Sequence, residues 1–351
     1  MMSDKRGLGD DGDVMKAVHF VKGCAPEALT LAEAAIPTLK SGEVLVKVVG
    51  SAINRADTLQ RKGLYPPPPG ASEILGMEAA GTVFDVAAGS STRWKRGDRV
   101  MALLAGGGNA EFVAVNAAHL MPVPQKLSLL EAASIPEVWL TAFQLLKIAN
   151  VQQGETVLVH AAASGVGTAL VQLIDKLFNA RSIGTAGSDE KCAFVKKLLP
   201  DRPPVTVNYK TANFADVVKK ETEGRGANVI LDPVGASYAE KNADCIALEG
   251  RWIVYGLMGG SKLNDSSLLA SLMRKRIRLE GTTLRARSDE YKAKLSADFE
   301  REALPLFESG DLRVVVDRVM PFEEMGAAHA LIESSATIGK VVIKVAEENT
   351  L

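Results

Sequence analysis

The chain has 351 residues, 47% of them hydrophobic and 5% aromatic, with 41 basic against 42 acidic residues. That length supports two domains with substantial cores, and so even a balance, without blocks of like charge, excludes an electrostatic footprint for nucleic acid or for an anionic membrane surface. Three widely spaced cysteines, Cys24, Cys192 and Cys245, exclude a disulfide framework and a cysteine-rich metal centre, so a cytoplasmic setting and a small-molecule partner are expected.

Residues 1–14 mix Asp with Lys and Arg and lack an apolar h-region, which predicts a disordered extension rather than a targeting signal. From Met15 to about Pro124, short β runs such as MKAVHF, EVLVKVV, AAGTVFDV, DRVMAL and AEFVAV, punctuated by Gly and Pro, predict an irregular β-barrel-like domain. Residues 66–69 are a proline run, expected as stiff polyproline II. After Leu127 the pattern turns helical, and strands at 156–160, 182–186, 205–207, 228–231, 251–255 and 277–280 alternate with helices to about Thr282. This is the pattern of a doubly wound parallel sheet. The tail from Ser288 reads as a helix to about 308, a strand at 314–316, a helix at 323–333 and a last strand, VVIKV. It is expected to complete the first domain, with the functional cleft between the two domains. The long uncharged window 156–174 is broken by Ala-Ser-Gly-Val-Gly, so no transmembrane segment is expected.

The segment ETVLVHAAASGVGTALVQLI, 155–174, carries the most information. A Val- and Leu-rich strand buried on both faces leads into a small-residue turn and then a helix, a variant of the G-x-G-x-x-G dinucleotide fingerprint with Ala162, Ser164 and Gly167 in the glycine places. An ordinary strand–helix corner rich in Ala and Gly is the alternative. In sheets specific for NAD, an acidic residue at the tip of the second strand binds the ribose 2′-hydroxyl. Here that strand ends at Gly187 and Ser188 with no carboxylate at its tip. Ser188 reads as an N-cap, which puts Lys191 third in the helix, where a cation opposes the helix dipole unless an anion is there to meet it. That anion would be the 2′-phosphate of NADPH, with Tyr209 within reach of it. The alternatives are a solvated lysine balanced by Asp189 and Glu190, and a half-buried aromatic at a strand end.

The β-rich front end interrupted by this sheet resembles the medium-chain dehydrogenase/reductase superfamily. Its zinc alcohol dehydrogenases carry Gly-His-Glu and an earlier cysteine, where this chain has Leu75-Gly76-Met77-Glu78 and the cysteine-free SAINRAD. The four histidines, His19, His119, His160 and His329, show no ligand spacing. No metal site is therefore expected, and His160 reads as a satisfied corner residue. Reducing a simple ketone creates an alkoxide, which needs a Lewis acid or a positioned proton donor, whereas a quinone or an enone accepts hydride to give a weakly basic phenolate or enolate.

Within that superfamily SAINRADTLQRKGLYPPPPGASEILGMEAAG, MALLAGGGNAEFV, IPEVWLTAFQLL, SGVGTA, ALEGRWIVYGLMGG and LRARSDEYK closely resemble the zinc-free NADPH:quinone oxidoreductases of the tumour-suppressor-inducible type, relatives of ζ-crystallin. The resemblance implies an α/β protein with a GroES-like β-barrel catalytic domain (15–136 and 283–351) plus a Rossmann-type doubly wound parallel sheet that binds NADPH (137–282), and a homodimer joined through the sheet edge. It implies that Asn54 and Tyr65 line the nicotinamide end. Thr141, Ser164, Gly165, Val166 and Gly167 would hold ribose and pyrophosphate, and Ser188, Lys191 and Tyr209 the adenosine phosphate. Gly256, Leu257, Met258, Gly259, Leu284 and Lys340 would complete the cofactor contacts. Asn54 also reads as an N-cap with Asp57 at the third helical position, Tyr65 as packing against the proline run, and YGLMGG as a strand-closing turn. The expected activity is NADPH-dependent hydride transfer to a quinone without zinc, with Tyr65 or water giving the proton. Its rivals are an enone reductase and a crystallin-like NADPH-binding protein with little turnover.

Overall fold

The computed structural model describes residues 14–263 and 267–348. The expected extension lies outside the described residues except for Val14, which already belongs to a strand, Val14–His19, paired antiparallel with Thr30–Ala35. The chain divides into two compact units, one holding residues up to Glu137 with Ser288–Glu300 and the chain from Val316, the other Val138–Arg287 with Arg301–Val315.

The first unit is built on a seven-stranded sheet around the long strand Glu43–Ile53. This strand pairs antiparallel with Lys340–Lys344, Glu78–Val86 and Phe112–Asn116. One strand serves two cores: Val44, Val46 and Val48 alternate onto a face with Ala79, Val83, Val100 and Val113, while Ile53 packs with Leu75, Phe322, Val341 and Ile343. Its pairing with Glu78–Val86 slips twice, between Leu45 and Val46 and between Val48 and Gly50. Bulges of this kind bend a strand toward barrel closure. Gly81 sits at this irregularity because a Cβ there would lie 1.9 Å from the Lys47 carbonyl oxygen.

The second unit holds a six-stranded, all-parallel sheet in the order Val205–Asn208, Arg181–Ala186, Thr156–Val159, Ala227–Asp232, Ile246–Val254, Arg278–Gly281. The order reverses between Thr156–Val159 and Ala227–Asp232, the topological switch point beside which open α/β sheets bind ligands. The centres of these two strands, Val157–Val159 and Val229–Leu231, are apolar and buried, as in a parallel sheet covered on both faces.

The tail departs from the sequence reading in two places. Its strand is Val316–Pro321, not 314–316. The backbone just before it is captured by the second unit: Gln172 accepts the Arg313 N–H through Oε1 at 2.8 Å and donates to the Arg313 carbonyl at 3.0 Å. The helix expected to run to about 308 is broken into Asp289–Glu302 and Leu304–Ser309, with Pro305 in the first turn of the second piece, where a missing N–H is tolerated. Phe307 on that piece packs edge-on against Trp139, 4.7 Å between centroids, which ties residues 301–315 to the second unit rather than to the first. Among the described residues no helix is long and apolar enough to cross a membrane.

Candidate active site

In the second unit the strand Thr156–Val159 runs into a turn that Ala161 completes with φ 52°, and Ser164 then caps the helix Gly165–Lys176. The Ser164 Oγ accepts the Gly167 N–H at 3.0 Å, so the hydroxyl at the second fingerprint place serves the helix itself. Gly167 is dictated by space: a Cβ there would meet the Ala161 carbonyl oxygen at 2.3 Å. The N–H groups of Gly165 and Val166 stand in the first helical turn, where no intrahelical acceptor exists and an anion is favoured. Here the residues fit a pyrophosphate.

At the tip of the neighbouring strand Arg181–Ala186, Ser188 caps the helix Asp189–Lys197 by accepting the Lys191 N–H at 3.2 Å. Tyr209 follows the strand Val205–Asn208 and donates its own N–H to the Ala186 carbonyl. Its hydroxyl lies over Gly187, where a Cβ would come within 2.8 Å of it. Gly187, Ser188, Lys191 and Tyr209 are thus brought to one strand tip. Asp189, the acid closest to that tip, is held by Asn208, whose Nδ2 donates to its carboxylate at 2.9 Å.

Beneath these loops lies a buried polar network that the sequence did not reveal. The Asp232 carboxylate, fully buried at the end of Ala227–Asp232, accepts from the N–H groups of Val234 and Gly235, from Asn242 Nδ2 and from Trp252 Nε1 at 2.7–3.0 Å. Because Asn242 donates to Asp232, its Oδ1 must accept from His160 Nε2 at 2.8 Å, leaving His160 Nδ1 to accept from the Thr185 hydroxyl at 3.0 Å. His160 is therefore a neutral, satisfied corner residue. Burial lowers its pKa, with Asp232 opposing. Burial also pushes the phenols of Tyr238, to about 12, and Tyr255 upward. Residues 233–235, shaped by Asp232, in turn hold the loop after the fifth strand: Met258 and Gly259 donate to Pro233 and Val234, and Gly260 accepts from Ala236. A Cβ at Gly256 would strike the Pro233 carbonyl oxygen at 2.8 Å. In that loop Leu257 and Met258 expose more than half of their side chains. Thr141 is half-buried on the helix Pro136–Ala149, and Leu284 is buried just past Arg278–Gly281.

In the first unit three strand ends meet. The Glu78 carboxylate, fully buried, accepts from Lys340 Nζ at 2.8 Å, from Asn54 Nδ2 at 2.9 Å and from the Glu137 N–H at 2.9 Å. Lys340 also donates to Asn54 Oδ1 at 2.6 Å and to the Ile53 carbonyl at 2.9 Å. An ammonium has three donors, and all three are used. Lys340 therefore fixes Asn54 rather than presenting a free cation, and Glu78 is the partner that the sequence reading missed. Its signal was there, as the acid that remains in Leu75-Gly76-Met77-Glu78. Asn54 stands at the N-cap of Arg55–Arg61, and the Asp57 carboxylate accepts its N–H at 2.8 Å, as the spacing anticipates. Tyr65 is half-buried at the start of the proline run. Among the described residues no group of three or more His, Cys, Asp or Glu side chains could hold a metal ion.

Residues 40–125 match the family described as alcohol dehydrogenase GroES-like domain, and residues 205–343 the family described as zinc-binding dehydrogenase. The human quinone oxidoreductase is 30% identical over 338 residues, covering 94% of this chain and 98% of that protein. Among solved structures, the Escherichia coli quinone oxidoreductase complexed with NADPH is similar at a TM-score of 0.82 and 28% identity, covering 94% of this chain and all of that one. The JamJ enoyl reductase in its apo form reaches 0.80 at 27% identity over 95% of this chain and 99% of its own.

Proposed function

Because the chain belongs to the medium-chain dehydrogenase/reductase family, with the quinone oxidoreductases among its relatives, we propose that it reduces quinones with NADPH by hydride transfer that needs no zinc. The observation that carries the cofactor assignment is the tip of the second strand, where Gly187 and Ser188 stand in place of an acid and Lys191 and Tyr209 gather around them. Bound there, NADPH would supply a hydride, the two-electron reductant that, with a proton, turns a quinone into a hydroquinone. The chain's own residues bind and orient. Gly165 and Val166 would take the pyrophosphate through their N–H groups, with Gly167 keeping the helix close to the turn and Thr141 at the ribose, and the loop of Gly256, Leu257, Met258 and Gly259, with Leu284, would border the nucleotide.

Asn54 and Tyr65 are assigned to the reacting ring, with Lys340 acting through Asn54. Hydride addition to a quinone leaves a phenolate oxygen, a base with a conjugate pKa near roughly 10. Such a weak base takes its proton from Tyr65 or from water, so proximity supplies most of the rate. Independence from zinc rests on Met77 in the place of a ligating histidine, on SAINRAD without cysteine and on a total of three cysteines in the chain.

The enone reading is favoured by the similarity to an enoyl reductase. Initial rates of NADPH oxidation with an ortho-quinone, a para-quinone and an α,β-unsaturated carbonyl separate the two. The quinones are expected to react faster; a dominant enone rate reverses the assignment, and tight NADPH binding with no turnover on any acceptor favours a crystallin-like binding role. A cytoplasmic homodimer completes the proposal. The strand Arg278–Gly281 bonds to one neighbour at the sheet edge, and Leu248, Leu269, Met273 and Leu279 are exposed on the elements around it. A second copy laid edge to edge would cover them.

A further inference from the structure

We infer that Asn208 is a specificity-determining residue, which sets the preference for a 2′-phosphorylated nucleotide by tying down the carboxylate of Asp189. The inference rests on the assignment of NADPH to the second unit. Asp189 opens the helix Asp189–Lys197, directly after the Ser188 cap, so its carboxylate is the nearest acid to the site proposed for the 2′ position. A free carboxylate there would repel a phosphate and could accept hydrogen bonds from a ribose diol, the arrangement that selects NADH. Asn208 holds that carboxylate in place on its own side. It ends the strand Val205–Asn208 directly beside Ala186, and its Nδ2 donates to Asp189 Oδ1 at 2.9 Å.

The amide cannot turn the other way without loss, because its Oδ1 accepts the Lys210 N–H at 3.1 Å. Its backbone carbonyl is also taken, by the N–H groups of Thr211 and Ala212. Position and orientation are therefore both fixed, and only the donor end faces the acid. With its carboxylate engaged, Asp189 still favours the helix N-terminus while leaving the Lys191 and Tyr209 side to an anion. Discrimination is thus achieved by restraining an unfavourable group as well as by supplying favourable ones.

A double-mutant cycle on the full chain tests this, with NADPH and NADH dissociation constants measured by calorimetry for wild type, Asn208→Ala, Asp189→Asn and the double variant. Asn208→Ala is expected to weaken NADPH by about threefold to fivefold, the size of a partly exposed charge interaction, and to leave NADH unchanged or tighter. In the Asp189→Asn background the same substitution should change neither. Equal weakening of both nucleotides, no change in their ratio, or an undiminished effect in the Asp189→Asn background overturns the inference while NADPH binding by the wild type still stands. A wild type that binds NADPH no better than NADH removes the underlying cofactor assignment, and the role of Asn208 with it.

Discussion

The two units each bury a carboxylate at the end of a strand, and they neutralise it by different means. In the first unit Glu78 is answered by a full positive charge on Lys340, which is also bonded to Asn54. In the second, among the described residues, Asp232 is held by four neutral donors, two from the backbone and two from Asn242 and Trp252, and by no cation. The contrast teaches what each region is built to resist. Removing one member of an ion pair strands a buried charge, whereas altering an anion held by dipoles leaves neutral groups short of partners. The first arrangement locks three distant pieces of chain at the proposed reacting end, and the second shapes the loops proposed to hold the nucleotide.

The largest test of this contrast is Glu78→Gln, which leaves the Lys340 ammonium without its anion and should cost about 3–5 kcal/mol in a denaturant melt. A loss below about 1 kcal/mol would mean that the pair is not carrying the first unit. Acid should also strike that unit. His329 is fully buried with neither ring nitrogen hydrogen-bonded, and burial together with the nearby Arg61 holds its pKa down to about 3. A histidine whose folded pKa lies below the unfolded value of 6.5 is bound to fewer protons in the folded state between those two values. Its stabilisation is therefore complete above 6.5 and lost as the pH falls toward 3, by on the order of a few kcal/mol. Melting temperatures followed downward from pH 7 should drop more steeply for the wild type than for His329→Leu; parallel curves would assign the acid sensitivity elsewhere. His160, depressed by burial in the second unit, acts in the same direction and remains in the variant.

Smaller effects sharpen the other side of the comparison. Asp232→Asn keeps the shape but replaces one carboxylate oxygen with a donor, so the two donors on that oxygen lose their partner, at about 1–3 kcal/mol each. NADPH affinity should fall with it as residues 233–235 loosen the loop of Gly256 to Gly260. A variant that is destabilised yet binds NADPH normally would reduce Asp232 to a purely structural role. Lys191→Ala should raise the KM for NADPH roughly fivefold and scarcely affect NADH, as expected for one partly exposed charge. Equal changes with both nucleotides would remove Lys191 from the phosphate.

Much of the fold was legible because its signals are local. The strand now seen as Thr156–Val159 is an apolar run bounded by turns, Arg181–Ala186 follows it one helix later, as strand and helix alternate, and Gly167 follows from fingerprint spacing alone. The tail strand was misplaced because the β-branched run at 314–316 carries its own propensity, while the capture of Arg313 by Gln172 is a contact across 141 residues. Candidate residues divide the same way. Ser188 and Lys191 could be placed from capping rules, since cap and capped N–H are three residues apart. Glu78, Asn54 and Lys340 lie on three separate strand ends, so nothing local in the sequence joins Lys340 to Asn54 and Glu78. Asp232 and Asn208 gave no signal for the same reason: each acts through a partner brought near by the parallel sheet.

The measurement that bears most directly on the central claim is the initial rate of NADPH oxidation by an ortho-quinone after exhaustive dialysis of the protein against a strong chelator. An unchanged rate, with NADH a much poorer donor, is the expected result. Loss of the rate on chelation and its return with added zinc would contradict the account.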